Sequence, residues 1–352
     1  MKRSLLVLPF LVVACARARP APGPLAPETQ EASLPPANAT LRVPQDYATI
    51  QAAVAAAGAG DRIVVGGGTY HGTVNIVGTV KNGLQIVGDG ARLVGNHSEG
   101  MGTRVCYFAR DQLCPEGRAG FYLRDVSGVV IRGFTVTDFG LGASSCEGEG
   151  VLLVNAHYNR IEHMSMTASD MMGVTLLNST HNVIAHNRLF LNDVERPGRC
   201  GTGCGVHVQG GPRTGPLPVP GPASADNVIQ ENEIWGNPFA GVMLRSAGAG
   251  NAVINNVIFE GSRWGITNWA TNGTRIEGNE VRDHRGFQAS WDSTKVIGVG
   301  DGIDVRTSSD VIVRGNTARG NRGHDVFWDS TGTGNRFLTN RCTTASPSGI
   351  CP

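Results

Sequence analysis

The chain has 352 residues, with 30 Lys and Arg against 29 Asp and Glu and 49 glycines. A formal net charge of +1 argues against nucleic acid as a main partner, because a phosphate backbone calls for a strongly basic surface. The length admits two domains, but one recurring phrase accounts for most of it better as a single solenoid.

Residues 1–14 read as a targeting segment: Lys2 and Arg3 precede the apolar run LLVLPFLVVA, too short for a permanent membrane helix. The run ends in Val12-Val13-Ala14-Cys15, which looks like a bacterial lipobox. That resemblance implies lipid on Cys15, a membrane attachment through it, and a mature chain beginning there. Ala16 follows the cysteine where an Asp would mark inner-membrane retention, so the expected location is the outer membrane or cell surface. The alternative is an ordinary secretory signal with Cys15 incidental. Residues 15–40 form a Pro- and Ala-rich stretch that cannot build a core and is expected to be an extended tether.

The folded part is expected over 41–352. VPQDYATIQAAVAAAGAGDRIVVGGGTYHG predicts a helix over about Tyr47 to Ala57 and a strand at Ile63 to Val65. From there the apolar residues alternate with period two, rich in Val and Ile, which is the strand signal. The clearest unit is GVTLLNSTHNVIAHNRLFLN, Gly173 to Asn192: three short strands with polar bends between them. It returns as GVHVQG with NVIQENEIWGN, as GVMLRSAGAG with NAVINNVIFEG, and as GIDVRTSSD with VIVRGNTARGN, at about two dozen residues per turn where nothing is inserted. Asn187, Asn232, Asn256, Asn279, Asn316 and Asn340 all close the second strand. Stacked coils would bring them into one column of amides, each bonded to the next, and Asn also tolerates the left-handed conformation of a tight bend.

On these repeats the chain resembles the right-handed parallel β-helix proteins (pectate-lyase-like), from about Leu41 to the C-terminus. The expected fold is therefore all-β, a right-handed parallel β-helix solenoid. Its helical stretch resembles the N-terminal cap of exported β-helix proteins; such a cap covers open strand edges. The resemblance is specific for fold and poor for function, since similar scaffolds serve lyases, hydrolases, epimerases, tailspikes, adhesins and a copper-accessory protein.

Setting aside Cys15, seven cysteines remain, and an exported chain meets an oxidising compartment. Cys342 with Cys351 would staple the C-terminal tail and Cys106 with Cys114 an early loop. Cys200 and Cys204 would pair with each other, or one of them with Cys146. No metal is expected, since the cysteine spacing lacks a second close pair with His nearby. No cofactor is expected, with calcium as the alternative, although no clear carboxylate cluster like that of pectate lyases is present.

Insertions Asp138 to Glu149, Asn192 to Gly203 and Asp283 to Gly300 all precede a Gly-led first strand and so project at one corner. The Pro-rich Gly211 to Ala225 projects at another. Long loops of this kind commonly carry function, and in pectate-lyase-like enzymes the cleft lies between the first sheet and the loops before it. After the corner Gly, second and fourth positions point inward, third and fifth outward. The outward third positions read Tyr122, Leu152, Thr175, His207, Met243, Thr267, Asp304, Phe327; the fifth positions read Arg124, Val154, Leu177, Gln209, Arg245, Trp269, Arg306, Asp329.

Arg245, Trp269 and Arg306 then form a consecutive ladder at about 4.8 Å per strand. An aromatic plate between guanidinium groups suits a sugar ring bearing a carboxylate, with Gln209 as a further substrate contact. For uronan lysis the expected base is Arg306, Lys295 or His207, with Arg245 as clamp. For glycoside hydrolysis the expected carboxylates are Asp301, Asp304 and Asp325. Asp292, His284 and His324 adjoin them. No catalytic signature is complete, and Arg306 has the alternative of pairing with Asp304 or Asp329 on a solvated face. The leading expectation is an envelope-anchored protein that binds, and in one version cleaves, an acidic polysaccharide or cell-surface glycan. A non-catalytic adhesin or structural envelope protein is the alternative, and metal delivery, resting on His207 beside Met243, is a third. Crowded polar groups with shifted pKa values would favour the first, and an open ion-paired face the second.

Overall fold

The computed structural model describes residues 34, 36–95, 117–140, 148–192, 203–210, 223–288, 296–298 and 300–351. From Ala37 these form one compact unit. Almost every pairing is parallel, and the strands stack in three columns because each coil supplies one strand to each.

The first column begins at Val74–Val77 and contains Ala119–Arg124, Glu149–Val154, Met172–Leu177, Cys204–Gln209, Ala240–Arg245, Trp264–Trp269, Asp301–Arg306 and Val326–Trp328, ending at Ala345–Ser346. We call it the first sheet. The second column includes Arg160–Glu162, Val183–Ala185, Val228–Gln230 and Ala252–Ile254. The third includes Ser165–Thr167, Arg188–Phe190, Glu233–Trp235 and Val257–Phe259. Like side chains sit on like in exact register down each column. Ile161, Ile184, Ile229, Val253, Ile276 and Val313 form one buried file. On the first sheet Val174 and Leu176, Val206 and Val208, and Ile303 and Val305 all point inward and are buried, as their alternation predicts.

The glycines that lead the middle first-sheet strands are required by space. A Cβ on Gly150, Gly173, Gly205, Gly241 or Gly265 would come within 2.7 Å of the carbonyl oxygen of the corresponding glycine one coil on. Coils this close admit no side chain there.

The six-asparagine column forms as the sequence predicts. Asn187 Nδ2 donates to Asn232 Oδ1 at 3.0 Å, Asn232 to Asn256 at 2.9 Å, Asn256 to Asn279 at 3.0 Å, Asn279 to Asn316 at 2.9 Å and Asn316 to Asn340 at 3.0 Å. Its conformational role differs from the expectation. The left-handed residue is the one before each asparagine: His186, Glu231, Asn255, Gly278, Gly315 and Thr339 have φ between 52° and 66°. The bend turns there, and the asparagine that follows aims its amide inward to satisfy the bend backbone. A second column, Asn159–Asn182–Asn227–Asn251, serves the neighbouring bend on the same plan.

At the N-terminal end a helix covers Ile50–Ala56, shorter at both ends than expected. Thr49 caps it by accepting from Ala52 N at 3.1 Å, and Ile50, Ala53 and Val54 are buried. The predicted strand is Arg62–Val65. At the other end Cys342 and Cys351 are joined, with Cα atoms 5.8 Å apart, and both pack on the core with Ile350. Cys15, Cys106, Cys114, Cys146 and Cys200 lie outside the described residues, so those pairings do too. The three insertions join third-column strands to first-sheet strands, at one corner as expected. Most of their residues are outside the description, but the last includes an antiparallel pair, Phe287–Gln288 with Val296–Gly298. No described helix is long and apolar enough to cross a membrane.

Candidate functional site

Side chains on the outer face of the first sheet follow the predicted alternation, but facing outward does not make them accessible. Tyr122, Leu152, Thr175, His207, Met243, Thr267 and Asp304 are all buried, and so are Leu177 and Gln209. His207 and Gln209, expected as base and substrate contact, are therefore shut away from a ligand on this surface. Towards the C-terminal coils the face opens, at Arg245, Trp269 and Arg306, with Phe327 and Asp329 half-buried beyond them.

These three are in register on consecutive strands, Arg245 beside Trp269 and Trp269 beside Arg306. Trp269 is 39% exposed. The Arg245 guanidinium lies over its ring, 5.1 Å from the centroid. One face of the plate is thus occupied, and a sugar could stack only on the other. Arg306 rests on the Phe327 ring at 4.4 Å.

Asp304 sits behind this edge, completely buried. Its Oδ1 accepts from Arg306 Nε at 2.7 Å and its Oδ2 from Thr267 Oγ1 at 2.9 Å. Asp301, on the same strand and also fully buried, has its Oδ2 3.7 Å from Arg306 Nη2. Its Oδ1 accepts from the His324 backbone N–H at 2.9 Å, with the ring Nδ1 at 3.3 Å. Among the described residues the Asp301 Oδ2 atom has no hydrogen-bond partner. Arg263 adds a second guanidinium, stacked on Trp264 at 3.8 Å and Phe239 at 5.0 Å. Two buried carboxylates and two guanidiniums therefore act on one another here.

The ionisation of the group follows from that packing. Burial pushes the Asp304 carboxyl up to about 6; Arg306 opposes this and Asp301 adds to it. Burial, then the charge of Arg306, lowers Arg263 from its ordinary value against the pull of Asp304 and Asp301. Asp325, the third expected carboxylate, is not part of the cluster's chemistry. Burial alone would raise it, but hydrogen bonds from Thr343 and Asn321 outweigh that and hold it low. Thr343, Thr344 and Asn321 saturate both its oxygens. It ties the C-terminal turn to the last coils.

A family profile described as "Right handed beta helix region" matches residues 199–351. With the coiled parallel sheets this decides the architecture. The chain is a right-handed parallel β-helix protein. By sequence, no curated protein matches it significantly. By structure, the β-helix is similar to an alginate lyase from Paenibacillus sp. str. FPU-7, with a TM-score of 0.51 and 16% identity over 88% of this chain and 99% of the lyase. It is similar also to PfbA, a surface adhesin of Streptococcus pneumoniae, with a TM-score of 0.58 and 12% identity over 83% of this chain and 72% of the adhesin.

Sequence reasoning located the ladder and the carboxylates of this β-helix but missed Arg263 and Phe239. Neither occupies an outward position in the repeat; both precede the first-sheet strands, at a corner where the alternation gives no orientation. Lys295 and Asp292 lie outside the described residues. His284, expected near the site, is buried in the bend column instead. Among the described residues no group of three His, Cys, Asp or Glu is placed to hold a metal.

Proposed function

We propose that this β-helix binds a carboxylate-bearing polysaccharide on the C-terminal part of its first sheet. The observation that carries the reading is the exposed Trp269 edge between Arg245 and Arg306 on consecutive strands. A guanidinium held over the Phe327 ring, 4.4 Å from its centroid, is positioned to offer its N–H groups to a ligand carboxylate. A titratable carboxyl near 6 in a crowded cluster favours a working groove over a plain ion-paired surface. Among proteins of this fold, one similar structure is an alginate lyase and another a surface adhesin, so fold is compatible with processing or with adhesion, and the chemistry of the groove must decide.

In the processing version Asp304, completely buried, does not touch substrate and acts by holding or releasing Arg306. Arg306 is a poor choice of base, because Asp304 and Asp301 already surround its charge. The adhesin version is favoured by the ion-paired flanks, where Glu277 meets Arg275 and Arg314, and Glu280 meets Arg282 and Arg319. In either version we take the chain to be exported, with lipid on Cys15, the following Pro-rich stretch as a tether, and Ile50–Ala56 as the cap of the first coil.

The test is incubation of the purified protein and its Trp269→Ala and Arg306→Ala variants with polygalacturonate, alginate and neutral glucans. Bound fraction, unsaturated-product absorbance and new reducing ends are read together. We expect polyuronate binding that weakens at least about tenfold in each variant, the loss of one charge-assisted or stacking contact. Unsaturated product or new reducing ends from the parent would add catalysis. Equal binding of neutral glucans, or no change in either variant, would overturn the reading.

A further inference from the structure

Arg306 cannot give its Nε edge to a ligand carboxylate and to Asp304 at once. Asp304 is completely buried, and apart from Arg306 its oxygens receive a hydrogen bond from Thr267. An anion left there without the guanidinium would be a buried charge lacking its counterion, which is strongly unfavourable. A proton removes the difficulty. We propose that Asp304 is an acid-opened latch on Arg306: protonation of Asp304 frees the guanidinium, and binding of an acidic glycan at Arg306 is accompanied by proton uptake at Asp304.

The surroundings fit this assignment. Arg306 and Asp301 face Asp304 from its own strand, Thr267 and Arg263 from the preceding strand and its lead-in, and Phe327 from the following one, where His324 meets Asp301 and Asp329 meets Thr307. Of the acids, Asp301 is held by the His324 N–H, and Asp329 accepts from Thr331 and Thr307. Burial pushes Asp329 up, but those hydrogen bonds and Arg306 bring it below its ordinary value. Asp304 is the carboxyl raised to about 6. With Asp304 ionised the two carboxylates and two guanidiniums balance; with it protonated the cluster carries one excess positive charge. The freed guanidinium stays on Phe327, 4.4 Å from the ring, so opening the latch exposes a bidentate donor without disordering it.

This rests on the glycan reading for its ligand, but the latch has a readout of its own. The Arg306 Nε–H resonance, assigned by its loss in Arg306→Lys, is followed from pH 7.5 to 5.0 in the protein alone. It should shift with a midpoint near 6 in the parent, at higher pH in Thr267→Val, which removes a bond to the ionised form, and not at all in Asp304→Asn. The transition should survive in His324→Gln. In parallel, polygalacturonate affinity should rise roughly twentyfold between pH 7.5 and 5.5 in the parent, the gain in the protonated fraction of a group near 6. Asp304→Asn should bind with the acid-form affinity at both pH values. A midpoint that moves with His324→Gln and not with Asp304→Asn, or a pH dependence of binding unchanged in Asp304→Asn, would overturn the latch. A normal Arg306 transition with no polyuronate binding at either pH would support the latch and overturn the glycan reading.

Discussion

His284 and Asp304 are buried ionisable groups whose effects on stability oppose each other in acid. His284 occupies a bend position one coil before Asn321 and bonds Asn321 Oδ1 through its backbone N–H at 3.1 Å and ring Nδ1 at 2.9 Å. Its ring fills the space beside Gly261, where a Cβ would come within 2.9 Å of it. Burial lowers its pKa to about 4. Between pH 6.5 and 4 the unfolded chain takes up a proton that the folded chain refuses, so stability falls as pH falls, by roughly 3 kcal/mol in all. Asp304, raised to about 6, holds a proton in the folded chain that the unfolded chain lacks between pH 6 and 3.8, so its contribution rises as pH falls through that window. Urea denaturation at pH 7.0 and 4.5 should therefore show a parent nearly flat in these two terms. His284→Asn should gain stability in acid relative to the parent, and Asp304→Asn should lose it. A pH difference equal in all three proteins would mean that neither group titrates as its burial requires.

At the scale of the element, the asparagine columns hold bends whose left-handed residues are not all glycine. A non-glycine residue there costs about 1 kcal/mol or more, and the column offsets it by satisfying the bend backbone. Asn232 Oδ1 accepts from Asn187 N and Nδ2, and its own Nδ2 donates to Ile184 O and Asn256 Oδ1. Asn232→Ala should cost about 2–4 kcal/mol, since it orphans several buried polar groups. Asn232→Asp should cost more at pH 7, because an acceptor would then face Ile184 O and Asn256 Oδ1. Equilibrium denaturation of both variants measures this; an Asp variant as stable as the Ala variant would show that the donor is not needed. The column was legible in the sequence because asparagine repeats at one place in the phrase. The partner column through Asn159, Asn182, Asn227 and Asn251 repeats at the same spacings but is shorter, because Thr274 and Val311 stand at that place in the following coils. The bend that holds His284 was hidden because Gly261 and His284 stand where Asn192, Asn237 and Asn321 stand in other coils.

Over the whole molecule, charge is nearly balanced at +1 and many surface arginines already have acidic partners. Attraction of a polyanion should then be confined to the open end of the first sheet. We expect polygalacturonate affinity to fall only severalfold between 50 and 300 mM salt, as two or three local cations would give, and not by orders of magnitude as a long basic track would. A titration at the two salt concentrations distinguishes them. A steep dependence would point to an additional basic surface.

The sequence by itself determined the winding, the inward rows of Val, Leu and Ile, the glycines at the head of the middle first-sheet strands, the Asn187-to-Asn340 column and the order Arg245, Trp269, Arg306. Each follows from a local rule: strand side chains alternate, and equal phrases stack in register. The tertiary structure decided which outward side chains meet solvent and how strongly they hold a proton. His207 and Gln209 obey the alternation yet are covered, and Asp304 becomes an unusual acid because burial raises its carboxyl, with Asp301 adding to this against Arg306 and Thr267. Burial and proton affinity depend on what other parts of the chain pack against a side chain, and no period in the sequence records that.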